Sequence, residues 1–388
     1  MRTSQVIAAI HCFYCIALFC FLASDTSSQE NRTSSESLIP GRSRLKFPPG
    51  IRTSEQWKEH VSNLHERMKT VMGEPDSLTE MGTGVTKTNS VSLEMQVTQD
   101  ELRNGIRYRK IQYNVSQSQQ IAGLQRINAW LLTPINMAAT KELSAVLCLH
   151  QTNGSIGKDE PTGLRGSPGL HYALELTQLG FVTLSPDYPS FGEYEYDFRD
   201  AQFASGTMKA ISDNQRAIDL LQSLPEVDGS KIACIGHSLG GHNAIFTAVF
   251  EPRIRAVVSS CGFTRFHRYM KGDLAGWTSD RYMPRIQSEF QSDPDLVPFD
   301  FPELIGSLAP RGFLAVAPLS DNNFDVQGVR ETMDFAKQSY ALFEAIHSLQ
   351  ADYPDANHEF PEASRQRAYK FIEQQLSSAR SNQVDADP

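Results

Sequence analysis

The chain has 388 residues, room for one large domain or two ordinary ones, and its 40% hydrophobic and 21% charged content is that of a globular protein with a sizeable core. Its 36 Lys and Arg against 45 Asp and Glu leave a formal charge of −9. No basic cluster interrupts that balance, so nucleic acid and other polyanions are excluded as expected partners.

At the N-terminus Arg2 is followed by an uncharged run from Val6 to Ala23 and then by a Ser/Thr-rich stretch. This pattern predicts a secretory signal peptide over residues 1–23, with an uncleaved membrane anchor as the competing reading because the run is near the minimum spanning length. Ala23 suits the residue before a cleavage site, whereas Phe21 is large for the third. Either reading puts the folded part outside the cytoplasm (secreted, periplasmic or cell-surface), with no membrane contact beyond the export segment. Residues 24–50, rich in Ser, Arg and Pro, read as a flexible leader, and residues 51–388 as one domain. Cys12, Cys15 and Cys20 fall in the export segment. Cys148, Cys234 and Cys261 remain, each in or beside an expected strand, and read as buried small apolar residues rather than a disulfide framework. No Cys/His spacing resembles a metal site.

From Ser54, the recurrence of Trp57, Val61, Leu64, Met68 and Val71 predicts one amphipathic helix. Val91 to Val115 alternates around Asn104-Gly105, a two-residue hairpin turn, and "INAWLLTP" reads as a third strand. The rhythm then changes. "SAVLCLHQ", "GFVTLSPDY", "KIACIGHS", "RAVVSSCG" and "GFLAVAPL" are short runs apolar on both faces, with helical patterns over 171–179, 207–224 and 239–250. That alternation predicts an α/β fold, a mostly parallel sheet with helices on both faces. Between Phe263 and Arg311 the pattern breaks into a Pro- and aromatic-rich stretch, expected as an insertion over one end of the sheet. A helix over 326–349, a loop "QADYPDANHEFPEA" and a helix to about Leu376 complete the chain.

Ser238 sits in Gly-His-Ser-Leu-Gly between an expected strand and an expected helix. Glycines at 236 and 240 leave room for a strained turn that lifts the serine oxygen clear and aims the helix's first amides at a reaction centre. "NGSIGKD" is no phosphate loop: its glycine spacing is wrong, and Asp159 replaces the required Ser or Thr.

"CIGHSLGGHNA", with a downstream acid and histidine, resembles the α/β-hydrolase superfamily. Together with "CLHQTNGSIGKDEPTG", "GFVTLSPDYPSFGEY", "RYMPRI" and "PLSDNNFDV", it is similar to dienelactone-hydrolase-like and acetyl-xylan-esterase-like members. The resemblance covers roughly Val91 to Leu376. It implies an α/β-hydrolase fold and hydrolysis of a small-molecule or polysaccharide ester by serine, histidine and acid, with no cofactor and no metal. In such folds the order is serine, acid, histidine. His242, one turn past Ser238, His267 and His347 are poorly placed. His358, in the loop before the last helix, is where the family places its base. Asp321 and Asp325 both follow the strand ending at Leu319, and Asp321 comes first. Asp187 precedes the serine and reads as structural. The resemblance assigns one oxyanion donor to Leu239 and the other to the loop after "AVLCLH". There His150-Gln151-Thr152 replaces the usual His-Gly, so the donor is Thr152 or Gln151, with His150 ordering the loop. The insertion is expected to roof the pocket. Trp277, Tyr282, Met283 and Phe290 would supply its walls, and Arg281 or Arg285 a cation toward the substrate. A prolyl-oligopeptidase-like peptidase shares such a domain, but the roughly 90 residues before Val91 are too few for its propeller. A non-catalytic protein on a hydrolase scaffold is the third reading.

Overall fold

The computed structural model describes residues 46–74, 92–118, 123–135, 142–199 and 203–377, all within one compact unit, Pro40–Pro388. The expected export segment and nearly all of the leader lie outside the described residues. Among the described residues no helix is long and apolar enough to cross a membrane.

The helix expected from Ser54 is two helices, α1 (Ser54–Val61) and α2 (Leu64–Met72). Thr53 and Gln56 cap α1 reciprocally, and the chain leaves helical geometry at Asn63. Trp57, Leu64, Met68 and Val71 are all buried. The apolar stripe therefore continues across a break that Ser62 and Asn63, both weak helix formers, permit.

Strands β1 (Gln96–Arg103) and β2 (Ile106–Ser118) form the expected hairpin. Asn104 and Gly105 both take positive φ (48° and 79°), which a two-residue turn matched to strand twist demands. Strand β3 (Gly123–Pro134) completes an antiparallel meander. There follow β4 (Leu143–Leu149), α3 (Tyr172–Gln178), β5 (Val182–Pro186), α4 (Gly206–Ser223), β6 (Val227–His237), α5 (Leu239–Phe250) and β7 (Ile254–Ser260). After the segment containing α6 (Arg285–Ser288) and α7 (Phe301–Ser307) come β8 (Gly312–Val316), α8 (Val326–Leu342), β9 (Leu349–Asp352) and α9 (Glu362–Ser377). The described strands form one nine-stranded sheet in the order β1-β2-β3-β5-β4-β6-β7-β8-β9, parallel from β5 to β9.

The sheet is covered on both faces, as its doubly apolar strands require. Leu147, Cys234 and Val257 pack on one side with α2, α4 and α5; Val146, Ile235, Val258 and Leu314 pack on the other with α3 and α9.

Three further expectations are corrected. The helix expected over 326–349 ends at Leu342, where Glu344 turns to φ 57° and the Ala345 amide bonds back to the Tyr340 carbonyl at 3.0 Å, a helix-ending pattern. The residues read as a loop then begin with β9, whose four half-buried residues are too few to show periodicity. The third correction concerns the segment between β7 and β8. Trp277, Met283, Ile286, Val297 and Phe299 belong to the main core, so much of this segment is packed interior.

Candidate active site

Ser238 lies between β6 and α5 with φ 53° and ψ −116°, a conformation that is strained for any residue with a side chain. Three main-chain bonds hold it: its amide donates to the Ser260 carbonyl at 2.8 Å, and its carbonyl accepts from the amides of Gly241 at 2.9 Å and His242 at 3.2 Å. The glycines explain how the turn fits. A Cβ on Gly236 would collide with the Gly240 backbone, one on Gly240 with the Leu149 carbonyl, and one on Gly241 with Gly262 Cα at 2.7 Å. The elbow is thus wedged between the ends of β4 and β7 by backbone against backbone.

His358 arrives from the loop before α9. That loop is tied to the loop after β8 by the Leu319 amide on the Pro354 carbonyl (2.9 Å) and the Ser320 amide on the Ala356 carbonyl (3.1 Å). His358 Nδ1 lies 3.0 Å from both carboxylate oxygens of Asp321 and Nε2 lies 2.9 Å from Ser238 Oγ. A carboxylate only accepts, so Nδ1 carries the proton and Nε2 is left to accept from the serine hydroxyl. The Asp321 side chain is 1% exposed. Burial works to raise its pKa, but His358 and the amides of Asn323 (2.8 Å) and Phe324 (3.2 Å) outweigh it, so the carboxyl lies below its ordinary range. Phe324 also stacks on the imidazole at 6.1 Å between centroids.

The other candidate acid and histidines are elsewhere. Asp325 caps α8, accepting from the Gln327 amide at 2.8 Å. His242 meets the Gly262 carbonyl through Nδ1 at 3.2 Å, and His267 meets Asp295 at 2.8 Å. His347 lies in a short turn before β9. Burial lowers the pKa of His242 to about 3; burial, then the charge of neighbouring His358, does the same for His237. Both rings are neutral. Asp187 is buried against Lys158, whose Nζ lies 2.8 Å away, and against the Lys158 and Glu193 amides.

The loop after β4 lies against the first turn of α5, because Gly240 approaches the carbonyls of Leu149 and His150. His150 orders it: Nδ1 donates to the Gln151 carbonyl at 2.6 Å and Nε2 accepts from the Tyr188 amide at 2.9 Å. The Leu239 amide opens α5 and so has no acceptor within the helix. Tyr282 lies by both Leu239 and Thr152, packing against the cluster that contains Leu239 and placing its hydroxyl 3.4 Å from Thr152 Oγ1.

The expected pocket walls divide. Trp277 is 2% exposed, enclosed by His242, Phe266, Phe301, Tyr282 and Phe324, so it backs the site from within the core and offers no open wall. Met283 is fully buried, and Phe290 packs against the core. Arg285 donates to the Thr70 carbonyl at 3.1 Å and pairs with Glu289, which fastens the segment to α2. Arg281 stays on the site side, over the Phe191 ring at 4.4 Å and bonded to Ser190 Oγ at 3.0 Å. A cavity of about 410 Å³ opens on the other flank of His358, lined by Gln151, Ser167, His237, Glu359, Phe360 and Arg365. Apart from Gln151, a candidate oxyanion donor, sequence reading missed these residues, as it missed the places of Phe324 and Cys261. Only their closeness to His358 or to strand ends could have suggested them.

Cys261, just past β7, takes φ 48° and donates from Sγ to the Glu359 carbonyl at 3.3 Å. Burial, then the Asp321 charge, pushes its thiol pKa up, so it stays protonated. Cys148 and Cys234 are likewise buried and free.

A mostly parallel sheet, a positive-φ serine between strand and helix, and an imidazole between that serine and a buried carboxylate define the α/β-hydrolase class. The chain belongs to the prolyl oligopeptidase family, whose sequence profile matches residues 170–378. YtaP of Bacillus subtilis (strain 168), named as a hydrolase, is 25% identical over 245 residues, covering 60% of this chain and 78% of that protein. Among solved structures, a glucuronoyl esterase from Teredinibacter turnerae T7901 superposes with a TM-score of 0.62 at 14% identity, covering 89% of this chain and 94% of that one. An acetyl xylan esterase from Paenibacillus sp. R4 superposes with a TM-score of 0.52 at 19% identity, covering 87% and 99%. At these identities the likeness is one of fold.

Proposed function

We propose that this chain is an exported carboxylic-ester hydrolase that works through an acyl-enzyme on Ser238. The hydrogen-bonded line from Asp321 through His358 to Ser238 carries this reading. A serine hydroxyl is a poor nucleophile at neutral pH, and here a base within hydrogen-bond reach is held in the accepting tautomer by a buried acid. Ser238 Oγ attacks the ester carbonyl while His358 Nε2 takes its proton. The oxyanion is met by the amides of Leu239 and Thr152, and Asp321 stabilises the imidazolium. His358 then gives the proton to the departing alcohol, and a water activated at Nε2 releases the acid.

We take the cavity beside His358 as the room for the departing alcohol. Its mix of amide, hydroxyl, imidazole, carboxylate, guanidinium and aromatic groups suits a sugar alcohol. That agrees with the esterase names of the structural neighbours, and we take acetylated polysaccharide or a small ester as the substrate class. Export rests on the apolar run from Val6 to Ala23. We assign 1–23 as the signal peptide, 24–50 as leader and 51–388 as a single hydrolase domain.

The family's peptidase name supplies the competing reading. Purified protein assayed against acetyl esters, acetylated xylo-oligosaccharides and peptide amides separates the two. Esters should turn over faster than any peptide amide; the reverse order would make the chain a peptidase.

A further inference from the structure

Three unlike donor groups meet behind the nucleophile. Ligand atoms of Cys261, Asp321 and His358 all lie within 4.8 Å of one another. They come from three loops, after β7, after β8 and before α9, so no sequence spacing announces them. A thiol, a carboxylate and an imidazole suit Zn²⁺ or Cd²⁺ and discriminate against Mg²⁺ and Ca²⁺. We infer that this cluster binds a thiophilic divalent cation, and that the ion inhibits the enzyme by trapping His358 in the wrong tautomer. The inhibition rests on the Ser238–His358–Asp321 reading; the binding does not.

The geometry needs little adjustment. Such an ion sits about 2.0–2.3 Å from each donor, and the Asp321–His358 pair is already close enough to share one. Cys261 holds a left-handed backbone position that normally favours glycine, so a side chain is kept there at a conformational cost. That side chain ends against the carbonyl of the residue following His358. Entry is through the cavity beside His358, where exposed Glu359 lends a negative charge, the Arg365 guanidinium on the same lining is paired with Glu175, and a water can complete the coordination.

The proton balance gives the inhibition. Before binding, Cys261 carries S–H, and His358 carries its proton on Nδ1. The ion forms bonds to Sγ, to Nδ1 and to one Asp321 oxygen. The thiol proton leaves to solvent, and the imidazole proton moves from Nδ1 to Nε2, so the ring stays neutral and one proton is released per ion. Nothing is oxidised or reduced. Nε2 then donates toward Ser238 Oγ instead of accepting from it, and the serine cannot be deprotonated.

The test uses the full chain with CdCl₂ as the probe and MgCl₂ as the control. Ester hydrolysis should fall with micromolar Cd²⁺, recover with a chelator and ignore Mg²⁺. Cys261→Ser should need at least about tenfold more Cd²⁺ for the same inhibition. Ser238→Ala, which cannot turn over, should still bind Cd²⁺ with one proton released and a thiolate-to-metal ultraviolet band, so binding is read even if the ester assignment fails. Equal Cd²⁺ sensitivity of Cys261→Ser and the parent chain overturns the site, as does Ser238→Ala that binds nothing at millimolar Cd²⁺. Should Cys261→Ser not fold by circular dichroism, Asp321→Asn takes its place. At least about tenfold weaker Cd²⁺ binding then supports the site, and unchanged binding overturns it.

Discussion

The nucleophile elbow and the segment from Phe263 to Arg311 stand side by side at the carboxyl end of the sheet, yet they are built differently. The elbow is held by main chain against main chain: Gly236 on Gly240, Gly240 on Leu149, Gly241 on Gly262. The segment is held by rings, with Trp277 in contact with His242, Phe246, Phe266, Tyr269, Phe301 and Phe324. Backbone contact tolerates no Cβ, so it writes itself into the sequence as glycines at fixed offsets. Ring packing can be met by many aromatic arrangements, so it leaves composition without position. The site's reacting atoms are accordingly set by the first region, and its enclosure by the second.

The sharpest way to break this comparison is to perturb the reacting line without touching the packing. Asp321→Asn keeps the shape but permits the wrong imidazole tautomer, and should lower ester turnover by about 10⁴-fold with little change in unfolding free energy. Asp325→Asn, which alters only a helix cap, should leave turnover intact. Equal losses in the two variants would mean that the acid has been misassigned.

The opposite perturbation removes packing and spares the chemistry. Trp277→Ala empties a space inside the core and should cost about 3–5 kcal/mol in denaturant unfolding. The order of preference among esters should be kept, because Trp277 shows no open face to the pocket. A stable variant with altered preference would restore Trp277 as a substrate-facing wall.

Acid should weaken both regions together, through His237 beside the elbow and His242 against Trp277. Each is buried neutral with a pKa lowered to about 3, whereas the unfolded chain takes up these protons near pH 6.5. The unfolded state therefore binds more protons between those values. Stability is full above pH 6.5 and is lost as pH falls toward 3. From pH 7 to 5 the two rings should together cost about 4 kcal/mol. Asp321, its pKa depressed below the carboxylate range, adds nothing in that window; its contribution fades only at lower pH. Unfolding free energies that stay flat from pH 7 to 5 would show these rings to be solvated.

What could be read from the sequence follows the same division. The strands apolar on both faces, the Asn104-Gly105 turn and the strand–turn–helix around Ser238 are local patterns, and the fold keeps them. Asp321 and His358 could be singled out because the resemblance to α/β-hydrolases places an acid after the strand ending at Leu319 and a base in the loop before the last helix. The break at Ser62–Asn63 escaped because the apolar stripe runs on through it, and β9 because four residues carry no period. Arg285, Met283 and Trp277 looked like pocket residues only because they sit in an aromatic loop. Their burial is set by partners such as Thr70 and Phe301, distant in sequence from much of what they touch. Cys261 was readable as a buried apolar residue, but its place beside Asp321 and His358 depends on three loops converging.

The central claim is that Ser238 is a nucleophile activated by His358. Reaction of the purified chain with a fluorophosphonate, followed by peptide mass mapping, tests it most directly. A single adduct on Ser238, absent in Ser238→Ala and strongly slowed in His358→Ala, is the predicted result. A folded chain that takes no label, or takes it on another residue, would contradict it.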